Sequence, residues 1–301
     1  MTARIIVPLE ITDANLIEAG TTVPEADAAA WDVATTYAAE DAVMYEHVLY
    51  TSAVGSNLGN QPDTDDGTNW IAGLATNRWK VFDGYLQDSA TQADSMAWQI
   101  ETTEFINGVA LFGLSAATVR VQLDNDTFGS VYDETFDLVD ENHITDYDLW
   151  FFAPQIKYSD FAITSLPPYP GKVTVTLTDT GNTCSLSQLA FGKAVELGIT
   201  VNGFEQDIEI FSDKTPDTFG RVSAVKRGSS DLLEPVIKIE TSRIPYLRRT
   251  LKEREALPTV FAFDGPTRGN EYIAFGDFER LRTNSVFGRY SELQISIREF
   301  V

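Results

Sequence analysis

The chain has 301 residues, 43% of them hydrophobic, and 45 acidic against 22 basic side chains give it a formal net charge of −23. Such a length predicts two or three domains, and the hydrophobic content is typical of a globular rather than a disordered protein. Because the negative charge repels phosphate, we expect no nucleic-acid partner.

The negative charge is concentrated in the first part of the chain. Residues 1–170 hold 5 basic and 27 acidic side chains, whereas residues 171–301 hold 17 and 18. This asymmetry predicts an acidic part that faces outward and a nearly neutral part that packs against copies of itself. The sequence has no long apolar run, and its start lacks the features of a secretory signal. We therefore expect neither membrane insertion nor export through the general secretory pathway.

The predicted secondary structure is mainly β, because segments of alternating or dense β-branched and aromatic residues are bounded by Gly, Asn, Asp and Pro. The clearest strand segments are 42–51, 117–124, 171–180, 204–213 and 290–300. Shifts in composition divide the chain into three pieces. These are a tail with a small aromatic β module at 1–75, a jelly-roll-like β-sandwich at 76–190, and a C-terminal β domain with one α-helix at 191–301.

The first piece contains an ordered series of aromatic and polar residues. The order is Trp31, Tyr37, Asp41, Val43, Tyr45, Tyr50, Asn57, Pro62 and Trp70. It resembles the small carbohydrate-binding modules of the chitin-binding type 3 family, which recur in phage tail proteins. The resemblance implies glycan binding, in which flat aromatic side chains stack on pyranose rings. By position, the implied sugar-binding residues are Trp31, Tyr45, Tyr50 and Trp70.

Two positions depart from the family pattern. Glu40 stands where the family has Gly before an Asp, and Glu46 with His47 fills a hairpin turn that Asn-Gly or a similar pair normally makes. Since Gly tolerates a positive φ and Glu does not, we expect a different turn conformation at Glu40. The alternative interpretation of the module is structural, because a unit of about forty residues has few other side chains with which to build a core.

The middle piece carries four segments whose order resembles a region of tail proteins from phages of proteobacteria. They read Trp-Lys-Val-Phe-Asp from Trp79, Val-Ala-Leu-Phe-Gly-Leu from Val109, Thr-Val-Arg-Val-Gln from Thr118, and Ser-Leu-Pro-Pro-Tyr-Pro-Gly from Ser165. The resemblance implies a virion structural protein. The alternative is any other β-sandwich.

Residues 124–148 of the middle piece include nine acidic side chains. Asp124 and Asp126 begin the spacing of an EF-hand loop, but Phe128 and Thr135 occupy positions that need a ligand oxygen and a bidentate Glu. We expect a solvated acidic face instead, and a calcium site of another kind on these loops stays open. The side chains expected to point inward are Phe128, Tyr132, Phe136 and Leu138.

The sequence contains no constellation of catalytic residues. His47 and His143 fall in separate predicted domains without the partners of a zinc site, and Cys184 lacks a nearby base to activate its thiol. Nucleophile elbows, phosphate loops and dinucleotide fingerprints are missing from the sequence. We predict no enzymatic activity, no cofactor and no metal, with Cys184 as a small buried or half-buried filler. A pair of glycosidase carboxylates is the alternative.

The last piece contains the one clear helix, predicted at residues 244–257 between Pro245 in its first turn and Pro258 after its end. Its predicted apolar face consists of Tyr246, Leu247, Leu251 and Leu257. Basic residues interleaved with Glu crowd around it, which predicts ion pairs between subunits or with other proteins. The predicted interface residues are Arg243, Arg248, Arg249, Lys252 and Arg254.

The strands and single helix of the last piece resemble the small β-fold of phage tail-tube and distal-tail proteins, whose sheets join laterally into rings. This resemblance implies a ring-forming homo-oligomer. The sequence as a whole predicts a structural protein of a tailed-phage virion at the tail tip, distal tail or collar, made in the host cytoplasm. Its expected partners are copies of itself, other tail proteins and host cell-surface polysaccharide. The runner-up is a carbohydrate-active enzyme or accessory polysaccharide-binding protein, and the absence of a signal disfavours a secreted adhesin.

Overall fold

In a computed structural model the protein is mainly β, with 57% of residues in strands and 10% helical, as the sequence predicts. The structure describes residues 2–140, 144, 146–152, 156–216, 218, 221–225, 228–263, 272–284 and 288–300. None of the helices within these ranges is long and apolar enough to cross a membrane.

The strands and helices follow in chain order. The first part contains β1 (Thr2–Pro8), β2 (Ala29–Ala30), β3 (Thr36–Tyr37), β4 (Ala42–Tyr45), β5 (Val48–Ser52), β6 (Asn57–Leu58) and β7 (Trp70–Ala75). The middle part contains β8 (Ala90–Thr102), β9 (Gly108–Phe112), β10 (Thr118–Asn125), β11 (Gly129–Asp137), β12 (Val139–Asp140), α1 (Tyr147–Phe152), β13 (Ile156–Lys157), β14 (Phe161–Ile163) and β15 (Gly171–Leu186). The last part contains β16 (Gln188–Ile210), β17 (Asp213–Pro216), β18 (Val222–Val225), β19 (Ser229–Glu240), α2 (Ile244–Lys252), β20 (Thr259–Phe263), β21 (Tyr272–Asn284) and β22 (Tyr290–Glu299). Every predicted strand segment overlaps an observed strand.

The helix α2 stops before its predicted end. In the turn that follows, Ala256 takes φ 58°, a left-handed conformation that cannot continue a right-handed helix. Leu247 and Leu251 are buried, whereas Tyr246 and Leu257 are each 44% exposed. The predicted apolar face is therefore only half correct.

Eight strands form the largest sheet, in the order β1-β20-β21-β22-β19-β16-β9-β14. Because β1 pairs with both β20 and β16, six of these strands form a closed circuit without a free edge between them. Leu247 and Leu251 of α2 pack into the apolar core of this circuit. Its other members include Ile5, Leu197, Leu233, Ile237, Phe261, Phe263, Leu293, Ile295 and Ile297.

A second sheet, in the order β11-β10-β15-β8, shares a core with the β14 end of the first. Trp98 and Val175 of the second sheet belong to the same apolar cluster as Leu111 and Phe191 of the first. Cys184 is fully buried in this cluster, which confirms the prediction of a filler, and burial raises the pKa of its thiol.

The N-terminal residues do not form the predicted tail. The strand β1 pairs with β16 and β20 of the C-terminal part, and the following segment runs along the edge of β8. There the amide of Ile17 donates to the carbonyl of Gln99 at 2.8 Å, and the amide of Thr22 donates to that of Ala97 at 2.9 Å. The predicted boundary at residue 190 lies within β16, which pairs with β9 before and β19 after it.

Candidate functional site

The aromatic module, residues 29–75, is built on the sheet β2-β4-β5-β7. Glu46 and His47 connect β4 to β5 with φ values of 44° and 66°, so both turn residues take the positive φ of the hairpin turns that Asn-Gly favours. The position of this turn agrees with the sequence prediction.

Glu40 keeps the backbone conformation expected of the family's glycine. Its φ is 71°, so the prediction of a different turn at this position is wrong. The turn is fixed by the amide of Glu40, which donates to the carbonyl of Ser52 at 2.8 Å, and by the carboxylate of Asp41, which accepts from the amide of Ala38 at 2.6 Å. A left-handed non-glycine residue costs about 1 kcal/mol or more, which these bonds offset.

One face of the sheet carries both the core of the module and its exposed aromatics. Strand register places Val43, Tyr45, Tyr50 and Trp70 on the same face, because residues directly opposite or two apart point the same way. Val43 and Trp70 are buried under Tyr37, whereas Tyr45 and Tyr50 are half-buried. The same alternation thus gives some side chains to the core and leaves others in contact with solvent.

Trp70 is part of the core. Only 2% of it is exposed, its Nε1–H donates to the carbonyl of Asn60 at 2.9 Å, and its ring meets that of Tyr37 edge-on at 5.2 Å. A ring covered on both faces cannot stack on a sugar, so Trp70 is a structural residue and does not join the candidate site.

Asp65 orders the loop that leads into β7. Its carboxylate accepts the backbone amides of Gly67, Asn69 and Trp70 at 2.9–3.0 Å and the side-chain amide of Asn69 at 2.7 Å. These donors, the amide of Trp70 foremost, lower the pKa of Asp65 to about 2. Sequence reasoning missed this role, although Asp-Asp-Gly is a recognisable turn signal.

The half-buried rings of Trp31, Tyr45 and Tyr50 and the exposed side chain of Gln61 form a surface that we call the aromatic surface. The rings of Trp31 and Tyr45 meet edge-on at 5.4 Å and an interplanar angle of 85°. The Tyr45 hydroxyl accepts a hydrogen bond of 2.8 Å from the side-chain amide of Gln61. Rings and polar groups therefore lie side by side, as glycan recognition requires, and Gln61 is a member that the sequence pattern did not indicate.

Acidic groups surround the aromatic surface. Partial burial raises the pKa of both Tyr45 and Tyr50, and the negative charges of Asp63 and Glu46 raise it further. The two hydroxyls consequently stay protonated at neutral pH and can donate as well as accept hydrogen bonds. The same negative charges repel anionic polysaccharides.

His47 joins the module to the residues that precede and follow it. Its Nδ1 lies 2.9 Å from a carboxylate oxygen of Glu25, and its Nε2 lies 2.9 Å from a carboxylate oxygen of Asp13. Its ring stacks on that of Trp79 with centroids 4.1 Å apart. Burial lowers the pKa of His47, but the hydrogen bonds that its ring donates to Glu25 and Asp13, together with their negative charges, outweigh this effect, so that the net shift of the pKa is upward. Only the doubly protonated imidazolium can donate to both carboxylates.

The predicted interface residues divide into two groups. Arg243 contacts Glu196, with Nη1 3.7 Å from its carboxylate, and half-buried Arg254 donates to the carbonyl of Pro258 at 2.6 Å. These two arginines are bound within the chain. The exposed members, which have no ion pair among the described residues, are Arg248, Arg249 and Lys252. They lie one to four positions apart on α2 and form a basic face.

The acidic stretch agrees only in part with its prediction. Leu138 is buried, and Tyr132 and Phe136 pack against the core, but Phe128 is 69% exposed because it lies in the turn between β10 and β11, beyond the sheet face. In the part of the chain that the structure describes, no three His, Cys, Asp or Glu side chains gather as metal ligands. His143 lies outside the described residues.

Three carboxylates of the eight-stranded sheet lie close enough to interact: Glu299 at the end of β22, Asp231 in β19 and Asp160 just before β14. Burial raises the pKa of Glu299 to about 7, and the negative charges of Asp160 and Asp231 add to the shift. Burial also raises the pKa of Asp160. These carboxylates do not line the surface cavities of about 510, 740 and 730 Å³ found in the described part of the chain.

Comparison with known proteins found no protein family model, curated protein or solved structure that matches this chain.

Proposed function

We propose that this chain is a non-enzymatic structural protein of a tailed-bacteriophage virion, at the tail tip, distal tail or collar, that binds host cell-surface glycan through its aromatic surface. The observation that carries the glycan-binding part is the arrangement of Trp31, Tyr45 and Tyr50, half-exposed rings beside the amide of Gln61. Such rings cover the apolar face of a pyranose while neighbouring polar groups bind its hydroxyls. Asp63 and Glu46 favour a neutral or cationic sugar over an anionic one.

The phage setting rests on the sequence resemblances in the middle and last pieces. The proposal also assigns a role to each of the two large cores. The core that the two large sheets share belongs to a jelly-roll-like sandwich. The closed circuit of six strands with α2 is the assembly domain. The exposed basic face of α2 and the acidic first part of the chain supply opposite charges for contacts between copies. The proposed partners are further copies in a ring and other tail proteins.

The glycan-binding part is tested by affinity for insoluble chitin and for a panel of purified bacterial surface polysaccharides. Replacement of Tyr45 or Tyr50 by Ala should weaken binding at least tenfold, because each removes one stacking ring. Tyr85→Ala is the matched control, since Tyr85 is 62% exposed and lies outside the module. Failure of the wild-type chain to bind any of these polysaccharides would refute this part of the proposal.

The virion part is tested by immunogold electron microscopy with antibodies against this chain. Label at the tail of virions supports the proposal, whereas label confined to lysate material or to the host envelope contradicts it. This outcome does not depend on whether the aromatic surface binds sugar.

A carbohydrate-active enzyme is the second candidate function. The observation that favours it is the raised pKa of Glu299 beside Asp160, since a glycosidase acid needs a carboxyl that stays protonated near neutral pH. Release of reducing ends from a polysaccharide by the wild-type chain, lost in Glu299→Gln, would establish this function in place of the structural one.

A further inference from the structure

The helix α1, between the paired strands β12 and β13, carries large aromatic side chains in contact with solvent. Tyr147 is 76% exposed, Trp150 59%, Phe151 60% and Phe152 85%. Their described ring contacts are with one another, since the Tyr147 and Phe151 centroids lie 4.8 Å apart. Folded proteins rarely leave such a group in water unless it binds a partner. We call residues 146–152 the aromatic arm.

The charge around the aromatic arm restricts the chemistry of this partner. Asp148 lies within α1. The arm also belongs to the first 170 residues of the chain, which contain 27 acidic and 5 basic side chains. An anionic membrane surface or a nucleic acid is repelled by this field. The complementary surface is an apolar cavity bordered by basic groups.

The same chain carries a cavity of this kind. A concave region of about 740 Å³ lies between α2 and the segment 103–106, and Phe105 and Tyr246 in its wall are 60% and 44% exposed. Its charged lining is Lys193 and Arg249 together with Glu104 and Glu253. Two of these four groups are basic and two are acidic, and Arg248 and Lys252, exposed on the same helix outside the lining, add basic charge beside the cavity. We call it the α2 cavity.

We propose that the aromatic arm of one copy of the chain inserts into the α2 cavity of the next copy. Each aromatic side chain buries roughly 150–250 Å², so the exposed part of four of them supplies on the order of 500 Å². This is a large share of the roughly 800 Å² that each partner buries in a stable interface, and the charges around it add steering. The cavity volume lies in the range of sites that enclose groups of this size.

This contact joins two different surfaces, so a bound pair keeps a free cavity on the copy that inserts its arm and a free arm on the copy that receives it. Repetition of such a head-to-tail contact closes into a ring if the rotation permits and otherwise extends into a filament. The inference rests on the self-assembly proposed above and names the two surfaces that produce it.

The test is the mass of the full chain by light scattering across a concentration series at low and high salt. An arm variant, Trp150→Ser with Phe152→Ser, and a cavity variant, Phe105→Ser with Arg249→Glu, should each raise the dissociation constant at least tenfold. A mixture of the two variants should give heterodimers and nothing larger, because each variant retains one intact surface. Phe128→Ser is the matched control, since Phe128 is 69% exposed on another acidic loop, and it should assemble as the wild type does.

Two results would overturn the inference, and they have different consequences. If the wild type assembles and both variants assemble equally well, the arm and the cavity are not the contact, while self-assembly itself stands. If the wild type is monomeric at every concentration, the contact and the proposed self-assembly are both refuted, and glycan binding is unaffected.

Discussion

Replacement of Trp70 by Ala should unfold the aromatic module and leave the rest of the protein folded. Trp70 is 2% exposed, and a Trp-to-Ala change at such a site costs about 3–5 kcal/mol. The carbonyl of Asn60 also loses its donor, which adds about 1 kcal/mol. The apolar cluster of the module holds only two other buried side chains, Tyr37 and Val43, so this loss exceeds what a unit of that size can absorb.

The measurement is hydrogen exchange of Trp70→Ala, resolved by peptide. Amides in residues 29–75 should lose their protection, whereas those of β15 and β22 should keep it, because they belong to other apolar cores. Tyr45→Ala is the matched control, since this half-exposed aromatic lies on the same sheet face and its removal should leave the module protected. Full protection of 29–75 in Trp70→Ala would show that the buried Trp does not hold the module together.

Three further predictions concern pH and backbone packing. Since the pKa of Glu299 is raised from 4.5 to about 7, the wild type should lose stability as pH rises through that window. The loss is at most about 3 kcal/mol, and it is smaller because the side chain is partly exposed. Urea unfolding of Glu299→Gln should lack this pH dependence. The pKa of His47 is raised above 6.5, so its contribution to folding stability is complete below pH 6.5 and is lost as pH rises through the folded-state pKa. Proteolysis near the module should therefore increase over that pH range in the wild type but not in His47→Gln. Gly192→Ala should destabilise the protein by about 2–3 kcal/mol in thermal unfolding, because the added Cβ would overlap the backbone carbonyl of Val7 in the neighbouring strand. An unchanged melting temperature would contradict the pairing of β1 with β16.

Local pattern was sufficient to predict much of the secondary structure. Alternation of apolar residues identified the hairpin at residues 42–51 and the final strand at 290–300, because a half-buried strand imposes a period of two on its own sequence. The helix near residue 244 was recognisable from Pro245 and its apolar spacing. Its early end was not, because nothing in the sequence shows that Ala256 adopts a left-handed conformation.

Long-range pairing was decided by the tertiary structure alone. The segment at residues 2–8 is short and reads as a tail, yet it closes the circuit of six strands between β16 and β20. The sequence of so short a strand does not show which strands it pairs with, since many other strands have the same alternation of apolar residues. The structure likewise places one strand, β16, in contact with both large apolar cores.

The candidate site shows the same division between sequence and structure. The sequence predicted an aromatic β module that begins near Trp31 and ends near Trp70, and alternation within each strand divides its side chains between the two faces of the sheet. Only the tertiary structure decided that Trp70 is enclosed while Tyr45 and Tyr50 keep contact with solvent. The physical reason is that period-two alternation fixes the side of a sheet on which a residue lies, whereas its exposure depends on what the folded chain lays over that side.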